Sequence, residues 1–168
     1  LNLDAVGIEV TDNGLIPVDS RCRTKAPGIY AIGDVCSPIQ LAHYASAQGV
    51  CAAENAAGLD STFDGSLVPS CIFTAPEIGA VGMTEAQAEE IGVEVHVGRF
   101  PFAALGKAMA IRETDGFVKI LADAETDQVL GVHIVGPHAT DLIAEAATAM
   151  HMEVTAEELG RAIHAHPT

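Results

Sequence analysis

Cations are scarce in this chain: eight lysines and arginines stand against 23 aspartates and glutamates, for a formal charge of -15. A surface of that sign repels a phosphate backbone instead of steering it in, which argues against nucleic acid as a partner, and it disfavours anionic membranes for the same reason. No apolar run reaches the ~18 residues that a spanning helix requires. The four cysteines, Cys22, Cys36, Cys51 and Cys71, lie 14, 15 and 20 residues apart, a spacing that matches neither a zinc site nor a redox pair. Free thiols, with no secretory signal at the front, suit a reducing cytoplasm. The chain opens on Leu1 and not on methionine, which leads to the expectation of an excised fragment or a processed chain.

What is present is globular. Hydrophobic residues make up 49% and charged residues 18% of 168 positions, enough for one domain or for one domain plus a piece of another. Asp12, Asn13 and Gly14 form a turn between Ile8, Val10 and the Leu15, Ile16 pair, which fits a small hairpin. Pro27 and Gly28 form another, after which Ile29 to Ile32 suits a short buried strand ended by Gly33 and Asp34. That would set Asp34 at a strand's carboxyl end, where ligands sit in open α/β sheets and where a carboxylate can accept from ribose or ribityl hydroxyls; a turn-forming aspartate fits the same pattern. The alanine-rich stretch from Leu41 to Ala57 is expected to be a helix closed near Gly58. Its free backbone N–H groups near Leu41, Ala42 and His43 would favour negative charge, although a helix that merely packs on a sheet has the same periodicity.

Polar residues Asp60 to Ser66 mark a boundary, and a second domain is expected from Leu67. Its strands are expected over 70–74, 78–82, 93–97, 117–122 and 129–135, with His96 on a polar face and a five-residue connection, Asp123 to Asp127, that implies antiparallel pairing. Thr84 with Gln87 and Thr155 with Glu158 are capping boxes, the second accompanied by a Val154 to Leu159 staple. Leu142, Ile143, Ala146 and Met150 recur on one helical face, so Met150 is expected to be packing. The whole is an α+β domain, an antiparallel sheet with helices, preceded by a partial α/β segment.

The final helix leads to His164, Ala165, His166, Pro167 and Thr168. Proline restricts the residue before it, so His166 is a histidine with a constrained backbone, and an imidazole of pKa ~6.5 can exchange protons near neutrality. A terminal pair of surface histidines is the plain alternative.

Six segments in order then resemble the pyridine-nucleotide flavin disulfide oxidoreductases: TKAPGIYAIGDV from Thr24, LAHYASAQG from Leu41, FTAPEIGAVGMTE from Phe73, TDGFVKILAD from Thr114, GVHIVGP from Gly131 and HAHPT from His164. The last is similar to the branch that reoxidises dihydrolipoyl groups; glutathione and mercuric reductases are the neighbouring branches, and a free-standing dimerisation module is the non-enzymatic alternative. The resemblance implies that residues 1–66 are the closing segment of an FAD-binding domain and 67–168 an interface domain that joins a homodimer. It implies Asp34 on the FAD ribityl chain, Ala42 and His43 near the flavin, His166 as an acid/base acting across the dimer, and His164 as its support. Electrons would pass through FAD to NAD⁺, and the partners would be dihydrolipoyl-bearing carrier domains of multienzyme complexes. No GxGxxG loop, redox cysteine pair or NAD site is found here, and the glutamate that follows the family's histidine motif lies past Thr168, so the chain by itself is expected to be catalytically silent. Tyr44 stands where relatives often have lysine.

Overall fold

A computed structural model describes residues 1–168 and divides them into two compact units, Leu1–Gly65 and Ser66–Thr168. The first unit has two small cores. Ile8, Ile16, Ala26 and Ala31 form one, and Cys22, Cys51 and Ala52, flanked by Tyr30 and Phe63, form the other. The turn at Asp12 to Gly14 is present, closed by the Thr11 N–H donating to the Leu15 carbonyl at 2.8 Å, but no strand ladder extends from it. Instead Ile16 donates to the Val35 carbonyl at 2.8 Å, so the partner expected from a local hairpin is replaced by a distant one.

Ile29 to Ile32 does not form a buried strand. Its pairing is confined to an isolated bridge between Arg23 and Tyr30, with Ala31 donating to Cys22 at 3.1 Å, and only Ala31 turns inward while Ile29 and Ile32 are partly exposed. The reason lies in Gly33, whose φ of +67° diverts the backbone into the single 3-10 turn Gly33–Val35. Asp34 therefore occupies a turn and not a strand end. Helix α1, Ala42–Ala56, follows and buries Gln48, Cys51, Ala52 and Asn55. Asn55 ties it down by donating to the Ser61 and Cys51 carbonyls at 2.7 and 2.9 Å.

The second unit is an antiparallel five-stranded sheet. Its strands are β1 (Ser70–Ile72), β2 (Glu77–Gly82), β3 (Val95–Pro101), β4 (Phe117–Asp123) and β5 (Val129–Gly136), in the order β1-β2-β5-β4-β3. Helices α2 (Glu85–Ile91), α3 (Gly106–Ile111), α4 (Ala139–His151) and α5 (Ala156–Arg161) complete it. The core packs α4, through Ala139, Ile143, Ala146 and Met150, onto Val81, Val132 and Ile134 of the sheet. Leu142 is 43% exposed, so the buried stripe of α4 is narrower than its apolar sequence suggested. Gly79 makes that packing close: a Cβ there would stand 2.4 Å from the Ala139 carbonyl oxygen.

Both expected capping boxes are present, at Thr84 with Gln87 and at Thr155 with Glu158. Strand β3 starts at Val95 and not Val93, because the left-handed Gly92 at the end of α2 returns the Val93 N–H to the Ala88 carbonyl at 2.9 Å, which removes it from the ladder. The short helix α3 and the 3-10 turn Phe102–Ala104 lie in a stretch for which the sequence carried no periodic signal.

Candidate functional site

In the first unit, Asp34 is carried on a turn fixed from beneath by α1. The Gly33 N–H donates to the buried Gln48 Oε1 at 2.6 Å, and a Cβ on Gly33 would meet that of Ala45 at 2.9 Å, so only glycine lets the turn settle this closely onto the helix. Asp34, Ala42 and His43 are all exposed. Leu41, which precedes α1, makes no side-chain cap bond, and the positive end of the helix dipole lies at Ala42 and His43. A carboxylate on a turn that packs against the 15-residue α1 is an acceptor that fits the hydroxyls of a polyhydroxylated chain. Gln48 was not singled out from the sequence; a glutamine fifteen residues after the glycine it binds leaves no local pattern.

In the second unit, the terminal residues follow α5. Thr155 Oγ1 accepts from the Glu158 N–H at 3.1 Å, and the Glu158 carboxylate accepts from the Thr155 N–H at 3.2 Å, so the start of α5 is set by its own sequence. The connection between β4 and β5 holds it in place, with Ala156 and Glu157 donating to the Asp127 carbonyl and carboxylate at 2.8 and 2.9 Å. The chain then leaves the helix at Ala162 in an extended conformation. His164 and His166 are both exposed, and the His166–Pro167 peptide is cis.

The two histidines differ in their surroundings. His164 places Nε2 2.5 Å from Glu145 Oε1 on α4 and Nδ1 2.9 Å from the Ala162 carbonyl. Two acceptors facing two ring nitrogens are satisfied together only by the imidazolium, which donates from both. The hydrogen bond to Glu145, the charge of that carboxylate and the Ala162 carbonyl accordingly raise the His164 pKa. No hydrogen bond within the chain involves the His166 ring, which is exposed. Glu145 escaped the sequence reading, since it lies nineteen residues before its partner on a different helix.

The remaining titratable groups do other work. Glu77 on β2 accepts from the Thr140 N–H and hydroxyl at 3.0 and 2.7 Å, capping α4 from outside; those bonds, the hydroxyl's first, hold its carboxyl below the usual range. His133 lies between Lys119 and Ala80 in the strand register, its Nδ1 buried without a partner, and burial pushes its pKa down. All four cysteines are free.

Residues 68–168 match the model of the pyridine nucleotide-disulphide oxidoreductase dimerisation domain, and residues 1–49 match the pyridine nucleotide-disulphide oxidoreductase model. Over 99% of its length the chain is 50% identical to a dihydrolipoyl dehydrogenase of Bacillus subtilis, and over its whole length 51% identical to one of Cupriavidus necator. It spans 36% and 35% of those relatives. Among solved structures, LpdA of Mycobacterium tuberculosis superposes on all of it with a TM-score of 0.93 at 33% identity, the chain covering 37% of that protein. The HOCl-induced flavoprotein disulfide reductase RclA of Escherichia coli does so with a TM-score of 0.88 at 30% identity, with 39% of that protein covered. In sequence and in fold, the chain thus belongs to the pyridine nucleotide-disulphide oxidoreductase family, and residues 68–168 are its dimerisation domain.

Proposed function

We propose that this chain is the carboxyl-terminal portion of a dihydrolipoyl dehydrogenase, which reoxidises dihydrolipoyl groups with NAD⁺ in 2-oxoacid dehydrogenase or glycine cleavage complexes. The observation that carries the reading is identity near one half, sustained from end to end, to curated enzymes of that name. The terminal His164 to Thr168 motif supports the same branch. The portion contributes three things: the surface that joins two subunits, one side of the FAD site, and a proton-transfer group.

On the FAD side, Asp34 would accept hydrogen bonds from the ribityl hydroxyls of FAD, and the start of α1 at Ala42 and His43 would favour negative charge on its ring. FAD, when bound, supplies two-electron transfer between the dithiol and NAD⁺, and the NAD site belongs to other parts of the enzyme. The exposed turn and the positive end of the α1 dipole support this arrangement.

His166 is the acid/base and acts in the partner subunit's site. A thiol S–H of the dihydrolipoyl group gives its proton to a ring nitrogen of His166, and the resulting thiolate attacks a disulfide sulfur, forming a mixed disulfide and releasing the other sulfur as thiolate. The ring gives that proton up to solvent and takes the one from the second S–H, whose thiolate attacks the lipoyl sulfur of the mixed disulfide, closing the lipoyl disulfide and releasing the enzyme's remaining cysteine sulfur as thiolate. A positioned group of this kind contributes ~10²- to 10⁴-fold. Carrier domains bearing the dihydrolipoyl group are the partners, and the cytoplasm is the compartment; four unpaired thiols accord with that.

The test is made in the intact reductase. His166→Gln lowers turnover of dihydrolipoamide by ~10²-fold or more, whereas FAD content and dimer mass stay unchanged. Full turnover in that variant, or NADH formation by the isolated 168-residue chain, refutes the assignment.

A further inference from the structure

The segment that displays His166 is attached to the second unit at a few points that can be named. Up to Ala162 the chain is held by the capping box of α5, by the two bonds to Asp127 and by Leu159 packed against the core. Past Ala162, Ile163 is fully exposed, and the Thr168 hydroxyl bonds only to the Ala165 carbonyl of the same segment, at 2.6 Å. Pro167 and Thr168 lie beside an apolar groove lined by Phe102, Ala108 and Leu142, a contact that sets no orientation by hydrogen bonding. One directional tie reaches from the segment to another helix: His164 Nε2 to Glu145 Oε1 at 2.5 Å.

Glu145 is placed for this by the packing of α4. Ile143 and Ala146 point into the core, and residue 145, between them, falls on the opposite, half-exposed side. The surroundings offer His164 no competing counterion. Arg161 and Glu157 on α5 are paired with each other at 2.5 Å, and Glu158 is committed to Thr155.

We propose that Glu145 is a positioning residue: by accepting from the His164 ring it fixes the approach of the terminal segment and so aims His166, two residues on, at the sulfur chemistry. The inference rests on the reading of His166 as the acid/base. It makes the two histidines a divided device, in which the first is held and protonated so that the second can exchange protons from a defined place. It also gives the device a direction in pH. The pKa of His164 is raised in the folded chain, so the tie is fully formed below the ordinary histidine value of 6.5 and is lost as pH rises through the raised folded value. Dithiol turnover should therefore lose efficiency on the alkaline side of that value although thiolate supply is increasing.

Two measurements test it together. In the 168-residue chain, the ring resonances of His164 are followed by NMR against pH in the parent and in Glu145→Gln and Glu145→Asp. The parent should titrate above 6.5, the glutamine variant should titrate clearly lower than the parent, and the aspartate variant should fall between them. In the intact reductase, Glu145→Gln should lower kcat for dihydrolipoamide about tenfold, short of the ~10² that a displacement of about 1 Å at a reacting group can cost, with KM for NAD⁺ unchanged and partial rescue by aspartate. His164→Gln, the reciprocal change, should reproduce the loss. An unchanged His164 titration in Glu145→Gln removes the tie and the inference with it. A lowered titration with undiminished kcat, in an enzyme that His166→Gln inactivates, overturns the positioning role and leaves the acid/base reading standing. Full activity in His166→Gln sinks both.

Discussion

The seating of α4 depends on one missing side chain, and restoring it has a calculable cost. In Gly79→Ala, the new Cβ would stand 2.4 Å from the Ala139 carbonyl oxygen and 3.0 Å from both the Ala139 carbonyl carbon and the Ile143 Cβ. A relaxed carbon-to-oxygen contact is about 3.3 Å, so strand and helix have to separate by about 1 Å. Neither side can relieve this by rotating a side chain, because the nearest atoms are backbone. A gap of that size forfeits a quarter to a half of each dispersion contact made by Ala139, Ile143, Ala146 and Met150, the residues that α4 buries. Overpacking of this kind costs ~1–3 kcal/mol, and a backbone-on-backbone clash belongs at the upper end. Lower entropy of the unfolded alanine chain returns about 0.5 kcal/mol, for a net loss of about 2–2.5 kcal/mol. For a unit of this size, that corresponds to a fall of about 10–20 °C in Tm by scanning calorimetry. Gly98→Ala is the matched control: its site lies on the exposed strand β3, a Cβ there meets nothing within 4 Å, and the change should stay within about 0.5 kcal/mol. If Gly79→Ala leaves the transition within 1 kcal/mol of the parent, or Gly98→Ala is equally damaging, the close approach of β2 and α4 is not what holds the helix.

Thr155→Ala removes the capping hydroxyl of α5 and should cost about 1 kcal/mol in urea unfolding, whereas Thr155→Ser should retain most of it; equal loss in both would mean that the cap contributes nothing. The Cys22 thiol is pushed up to about 12, by burial first and by Cys51 next. It should therefore stay unlabelled by a disulfide reagent at pH 8 in the native chain and react promptly in urea, and early native labelling would contradict its placement in the core. His133 resists protonation because burial disfavours its charged form, with Lys119 acting in the same direction and Glu85 against it. The unfolded chain takes up that proton near 6.5, so stability should decline as pH falls from there toward the lowered folded value. In His133→Gln this part of the slope should vanish; an unaltered slope would place the titrating group elsewhere.

What the sequence disclosed follows the range of the forces involved. Thr84 with Gln87 and Thr155 with Glu158 could be read directly, since a capping box closes within four consecutive residues and its geometry is written in the spacing. The β4 and β5 pairing was legible for the same reason, through a short polar connection between two apolar runs. Ile29 to Ile32 misled because a four-residue apolar run does not reveal whether it has a partner strand, and Gly33 bends the chain before a ladder can extend. Helix α3 was hidden by its length, six residues without a cap, and is fixed by Ala108 entering the core and not by any intrinsic preference.

The site residues divide in the same way. Asp34 and His166 belong to segments whose local wording is distinctive, and each is exposed. Gln48 and Glu145, which hold those segments, are ordinary polar residues on helices, and their partners lie fifteen and nineteen residues away. A helix has many positions where a glutamine or glutamate would be equally stable, so composition and periodicity carry no record of which one reaches a neighbouring turn. The distinction has a chemical consequence. Asp34 presents an acceptor on a turn that a buried amide has already fixed, so that the turn is ordered before any ligand arrives. His166 presents a ring on a segment held by an exposed ion pair, whose strength varies with pH and salt. The first is insensitive to pH because an amide does not titrate in this range, and the second loosens as His164 loses its proton.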